Sequence, residues 1–178
     1  LDNQHDVERQ IVIPRSVNLE EGMNYVLVGV RRAGKSFMLY QRMQQNLQQG
    51  IGWDKMLYIN FEDERLINME SSELNLLLEA FARIYANDRP ILFLDELQNV
   101  VGWEKFARRL ADSKFRVYIT GSNAKMLSRD IATTLGARYL DEKIFPYSFR
   151  EYMEAQGVSL SKEWMYGKQR NTVQQMMN

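Results

Sequence analysis

The chain has 178 residues, 45% of them apolar and 26% charged, which suits one globular domain, or one domain with an appendage, and excludes both two large domains and a disordered chain. Lys plus Arg and Asp plus Glu both total 23, so no net field draws nucleic acid or an anionic membrane to the whole surface. The absence of Cys, and of any His but His5, excludes disulfides, thiolate zinc sites, a Cys nucleophile and an HExxH metal helix.

The chain begins with a polar stretch, Leu1 to Gln10, that lacks a signal-peptide core, and it carries no run of apolar residues long enough to span a bilayer. A cytoplasmic protein with no membrane partner is expected. Four apolar runs follow: Tyr25 to Val28, Met56 to Phe61, Ile91 to Leu94 and Val117 to Thr120. None alternates with polar residues, so each reads as a strand covered on both faces, as in a parallel sheet between helix layers.

Helical spacing fills the gaps. Ser36 to Gln49 places Leu39, Met43 and Leu47 in register and stops at Gly50. Leu74, Leu77, Leu78, Phe81 and Tyr85 form the second stripe, with Ser71 or Ser72 as the predicted N-cap and Asn87, Asp88, Arg89 and Pro90 as the stop. Trp103, Phe106, Ala107, Leu110 and Ala111 form the third, after Gly102. The alternation predicts an α/β fold, a three-layer sandwich around a mostly parallel sheet. Past Gly121 the pattern weakens to a further strand within Tyr139 to Phe145, a break at Pro146 and a short helix over Ser148 to Ala155. Residues 1–155 are expected to form one domain. Residues 156–178 are expected to be a linker or the start of a truncated second domain, in keeping with a chain that starts at Leu1 and ends in a polar run.

Directly after the first strand stand Gly29, Val30, Arg31, Arg32, Ala33, Gly34, Lys35 and Ser36, a full match to GxxxxGKS/T with a strand before it and a helix after it. A loop wrapped around a polyphosphate turns its N–H groups inward, which calls for glycine at Gly29 and Gly34, and the next helix adds the unpaired amides and positive dipole of its N-terminus. Lys35 is placed to reach the β and γ phosphates and the Ser36 hydroxyl to ligate Mg²⁺. Phe37 completes the predicted nucleotide-binding set. The side chains of Arg31 and Arg32 are expected to point outward, because the cradle is built from backbone.

The third strand ends in Asp95 and Glu96, which puts two carboxylates at the C-terminal edge of the sheet, where the phosphate loop also lies. Asp95 is expected to hold Mg²⁺ through its water shell, and Glu96 to polarise the attacking water; the alternative is that Asp95 only caps a turn. One strand falls between the loop strand and the Asp95 strand in sequence. This is the order of the P-loop division that carries an additional strand between its two motifs and uses a catalytic Glu. In that division a polar residue at the end of the next strand senses the γ phosphate, which makes Asn123 or Ser122 the candidate, although a turn-forming Gly-Ser-Asn has the same composition.

Taken in order, Gly29 to Ser36 (GVRRAGKS), Tyr58 to Leu66 (YINFEDERL), Leu94 to Asn99 (LDELQN), Gly102 to Leu110 (GWEKFARRL), Ile119 to Asn123 (ITGSN) and Phe145 to Tyr152 (FPYSFREY) resemble the bacterial and archaeal AAA-type ATPases that pair an N-terminal P-loop domain with a C-terminal domain of unknown function. The resemblance covers roughly residues 10 to 155 and implies ATP binding and hydrolysis, with Lys35, Ser36, Asp95 and Glu96 at the family's functional positions. Residues matching the family's second domain are not expected within this chain, which bears on homo-oligomerisation and on any ATP-driven output. Such ATPases often send an Arg to the γ phosphate of a neighbouring subunit, and Arg138 or Arg129 is the candidate.

Three other readings compete with a Mg²⁺-dependent ATPase. A nucleotide-gated switch with little turnover would be insensitive to Glu96→Gln. A small-molecule kinase would need an acceptor pocket and lid. A nucleic-acid module would use Lys105, Arg108, Arg109, Lys114 and Arg116, although these charges lie opposite a helix's apolar stripe, as a solvated face does. Trp53, Trp103 and Tyr118 sit at core spacing and offer no stacking platform. The protein or nucleic-acid client is not legible in the sequence.

Overall fold

The computed structural model describes residues 7–122 and 133–157. Its strands are β1 (Tyr25–Gly29), β2 (Met56–Asn60), β3 (Ile91–Asp95), β4 (Val117–Ser122) and β5 (Leu140–Lys143), joined in one sheet of order β2-β3-β4-β1-β5 with every pairing parallel. The register sets Tyr25 beside Tyr118 and Leu140, and Leu94 beside Ile119. β4 therefore separates the loop strand β1 from the acidic strand β3. The helices are α1 (Lys35–Gln48), α2 (Leu74–Tyr85), α3 (Trp103–Asp112) and α4 (Phe149–Ala155).

The apolar runs do not alternate because the sheet is covered on both sides. On one face, Val26, Val28, Leu92, Leu94, Val117 and Ile119 pack with Leu74 of α2 and with Trp103, Phe106 and Leu110 of α3. On the other, Tyr25, Leu27, Met56, Phe93 and Tyr118 pack with Met38, Leu39 and Met43 of α1. All five residues of β1 are buried. Across this second face the rings of Phe93, Tyr118 and Tyr25 form a row, with Tyr118 stacked 5.0 Å from Phe93 and 6.2 Å from Tyr25. The expected three-layer α/β sandwich is present, and its sheet is wholly parallel.

Local departures have local causes. α2 starts at Leu74 with Glu73 as its N-cap residue and no side-chain cap, so neither Ser71 nor Ser72 caps it; the Glu73 carboxylate accepts from the Glu70 N–H at 2.9 Å instead. The helix ends at Ala86, in the left-handed conformation at φ 51°, just before the predicted stop. Trp103 and Tyr118 are buried, whereas Trp53 is half-buried and donates through Nε1 to Glu8 at 2.5 Å. β5 is shorter than Tyr139 to Phe145. Tyr139 is buried just ahead of it, and its hydroxyl donates to the Ala107 carbonyl at 2.7 Å. Among the basic residues, Lys105, Arg108, Arg109 and Lys114 are exposed; Arg109 lies over the Phe106 ring and donates to Asn75, as on a solvated helix face.

The chain divides into two compact units at Pro146. The first contains the sheet. The second begins at Tyr147 and contains α4, whose N-terminus is closed by a reciprocal capping box between Ser148 and Glu151. No helix among the described residues is long and apolar enough to cross a membrane.

Candidate nucleotide site

The loop that leaves β1 turns back at once, the Ala33 N–H donating to the Val30 carbonyl at 3.2 Å. Its left-handed residues are Arg32, at φ 64°, and Gly34, at φ 91°. Gly29 is extended instead, and what requires a glycine there is space: a Cβ would collide with the backbone carbonyl of Ile144, which follows β5. Gly34 is the N-cap of α1 and no side chain caps the helix, so the first-turn N–H groups have neither an intrahelical nor a side-chain partner. That is a ready anion site. Arg31 and Arg32 are exposed, as are Val30 and Phe37.

Lys35 is buried, at 5% exposure, and its ammonium ion-pairs with Glu96 Oε1 at 3.2 Å and approaches the Val30 carbonyl at 3.4 Å. The second Glu96 oxygen accepts from Gln98 Nε2 at 2.5 Å, and Glu96 itself sits in the left-handed region at φ 53°. Asp95 is 1% exposed. Two hydroxyls bond it, Thr120 at Oδ1 and Tyr58 at Oδ2 over 3.2 Å, and the nearby Ser36 hydroxyl also favours its charged form. Burial pushes the Asp95 carboxyl above the ordinary carboxylate range, and these hydrogen bonds offset the shift only in part. The same burial, together with the Asp95 charge, raises the Tyr58 phenol, which also shares a 3.2 Å contact with the Tyr40 hydroxyl.

The structure thus gathers Gly34, Lys35, Ser36, Asp95 and Glu96 at the C-terminal edge of the sheet. Ser36 and Asp95 offer neighbouring hard oxygen donors, a set that suits Mg²⁺, which accepts a few protein oxygens and keeps its waters. Arg138 lies elsewhere. It precedes β5 at the opposite edge, and its Nε donates to Asp112 at the end of α3 over 2.5 Å, holding that carboxyl below its ordinary value. Asn123 and Arg129 fall outside the described residues, and so does the side chain of Ser122.

Several contributors escape a sequence reading. Thr120 is fully buried, bonds Asp95, and accepts from the Glu96 N–H at 2.9 Å, so one hydroxyl fixes both acids. The sequence signal was there: a lone polar residue closing the run Val117 to Thr120. Tyr58 carries no such mark, because the register of β2 with β3 brings it in, and Gln98 reaches Glu96 through the tight turn that follows β3.

A parallel sheet with an additional strand between the loop strand and the acidic strand, and with the loop and acid pair on one edge, defines a P-loop nucleotide-binding fold of the AAA type. The chain belongs to the AAA domain family, whose model matches residues 22–153. It is 40% identical over 166 residues to the uncharacterized protein MJ1544 of Methanocaldococcus jannaschii, covering 92% of this chain and 36% of that one. It is also 40% identical over 136 residues to an uncharacterized protein of Haemophilus influenzae, covering 75% of this chain and 34% of the other. The chain therefore spans about a third of the length of these curated relatives. Among solved structures, a closed-state reconstruction of Hsp104 with ATPγS and FITC-casein superposes with a TM-score of 0.52 at 14% identity, covering 86% of this chain and 28% of that one, a likeness of fold.

Proposed function

We propose that the domain binds ATP with Mg²⁺ and hydrolyses it, and that nucleotide state alters its conformation or its hold on a partner. The observation that carries this reading is the Lys35–Glu96 ion pair at 3.2 Å, beside the buried Asp95 carboxyl that neighbours the loop's own Ser36. A buried ammonium needs an anion. Without nucleotide that anion is Glu96; with nucleotide it is the polyphosphate, bound also by the Gly34–Phe37 amides. Lys35 turning to phosphate frees Glu96 Oε1 to accept a proton from water, while Gln98 keeps Oε2 in place. Ser36 and Asp95 would hold Mg²⁺, which, when bound, draws charge from the phosphate oxygens. Arg138, at the far edge, fits service only to a neighbouring copy, so a homo-oligomer of the whole protein belongs to the proposal. Residues 1–155 are assigned to the nucleotide domain and 156–178 to the approach to a further one.

Glu96→Gln tests the hydrolytic part. Phosphate release should fall about a hundredfold or more, the usual contribution of a positioned base, while ATP affinity is retained. Undiminished release removes Glu96 from the role. A wild-type protein that binds ATP and barely turns it over supports the gated switch instead.

A further inference from the structure

Arg15 precedes β1 in sequence yet reaches the phosphate loop. Its main chain is clamped by Gln41 of α1: the Arg15 N–H donates to Gln41 Oε1 at 2.9 Å, and Gln41 Nε2 donates back to the Arg15 carbonyl at 3.0 Å. Gln44, on the next part of α1, fixes the approach by donating to the Val7 and Gln10 carbonyls at 3.0 and 3.1 Å. From this anchored position Arg15 Nη1 donates to two carbonyls distant in sequence, Ala33 of the loop at 3.2 Å and Phe145 beyond β5 at 2.8 Å.

Ala33 O belongs to the peptide that joins Ala33 to Gly34. That peptide is trans, as are all others described, so its C=O and N–H point in opposite directions. A carbonyl held from outside by a guanidinium sets the Gly34 N–H away from Arg15. Gly34, at φ 91°, has the widest backbone freedom of any loop residue, and a fixed neighbouring carbonyl removes much of it. The Phe145 end is equally tied: the Ile144 N–H donates to Val28 at 2.7 Å, and Gly29 leaves no space beneath the Ile144 carbonyl. One cation therefore joins the loop to the chain leaving β5, just ahead of the second unit.

We propose that Arg15 is a positioning residue of the phosphate loop, orienting the Ala33–Gly34 peptide for a nucleoside polyphosphate and linking loop occupancy to the strand exit at Phe145. The proposal rests on the nucleotide reading above. Its test titrates the full-length protein with Mg-ATP as wild type, Arg15→Met, which keeps the stem without donors, and Arg15→Lys, which keeps the charge without the fork. Met should weaken ATP binding about tenfold and Lys by less, the scale of losing charge-assisted hydrogen bonds. Amide exchange at saturating ATP adds a readout that general destabilisation would not give. In wild type, protection should rise at the loop and at Ile144 and Phe145 together, and in Arg15→Met at the loop alone. Met affinity within twofold of wild type, or unchanged coupling at Phe145, overturns the proposal. If Arg15→Met does not fold, Arg15→Lys decides: affinity and coupling equal to wild type overturn it, and loss of either supports it. Wild-type protein that fails to bind ATP overturns the nucleotide reading itself, a result distinct from these.

Discussion

Asp95 is the residue where function and stability pull apart. It is almost completely buried, forms no ion pair among the described residues, and its carboxyl is held above the ordinary value chiefly by desolvation. A folded-state pKa above the unfolded one means the native state binds the proton more tightly, so this group costs stability increasingly as pH rises through the folded pKa. Asp95→Asn removes that cost. Its amide can donate to the Thr120 or Tyr58 hydroxyls, which reverse direction without moving. In nucleotide-free protein, Asp95→Asn should therefore raise the melting midpoint at pH 7, with the gain shrinking as pH falls toward the ordinary carboxylate range. A lower midpoint at neutral pH would show that the hydrogen bonds to its hydroxyl neighbours outweigh the desolvation. Keeping a costly acid at this position makes sense if a cation offsets the cost in use.

At the scale of elements, β1 and β3 were legible because a five-residue strand covered on both faces must be mostly apolar. β5 was legible only as part of a longer stretch: Leu-Asp-Glu-Lys at a sheet edge is mostly uncovered and carries no apolar run. The α2 cap was misread because Ser71 and Ser72 satisfy the composition rule, while the chain enters the helix through Glu70 and Glu73. Gly29 looked like a loop glycine and proves to be a contact between elements. Gly29→Ala would drive a Cβ into the Ile144 backbone, which cannot swing aside as a side chain can. The expected loss is about 1–3 kcal/mol, the range for overpacking, read from chemical denaturation. A smaller loss would mean that β5 shifts easily against β1, and the loop with it.

For the molecule as a whole, the phosphate loop and acid pair could be read from sequence because each is a contiguous block whose chemistry is explicit. Their meeting could be expected from the rule that ligands bind at the carboxyl edge of a parallel sheet. Tyr58, Arg15 and the bonds that Thr120 makes to both acids could not be assigned in the same way. Their roles depend on the parallel register of β3 with β4, the crossover that sets β4 beside β1, and the path of a segment that runs back along α1. At the opposite edge Arg138 is held by Asp112. The central claim is that Lys35 exchanges Glu96 for a polyphosphate, and a calorimetric titration with Mg-ATP, wild type against Lys35→Ala, tests it most directly. Saturable binding by the wild type, lost or weakened at least a hundredfold in a folded Lys35→Ala protein, is the predicted result. Equal affinities in the two proteins would contradict it.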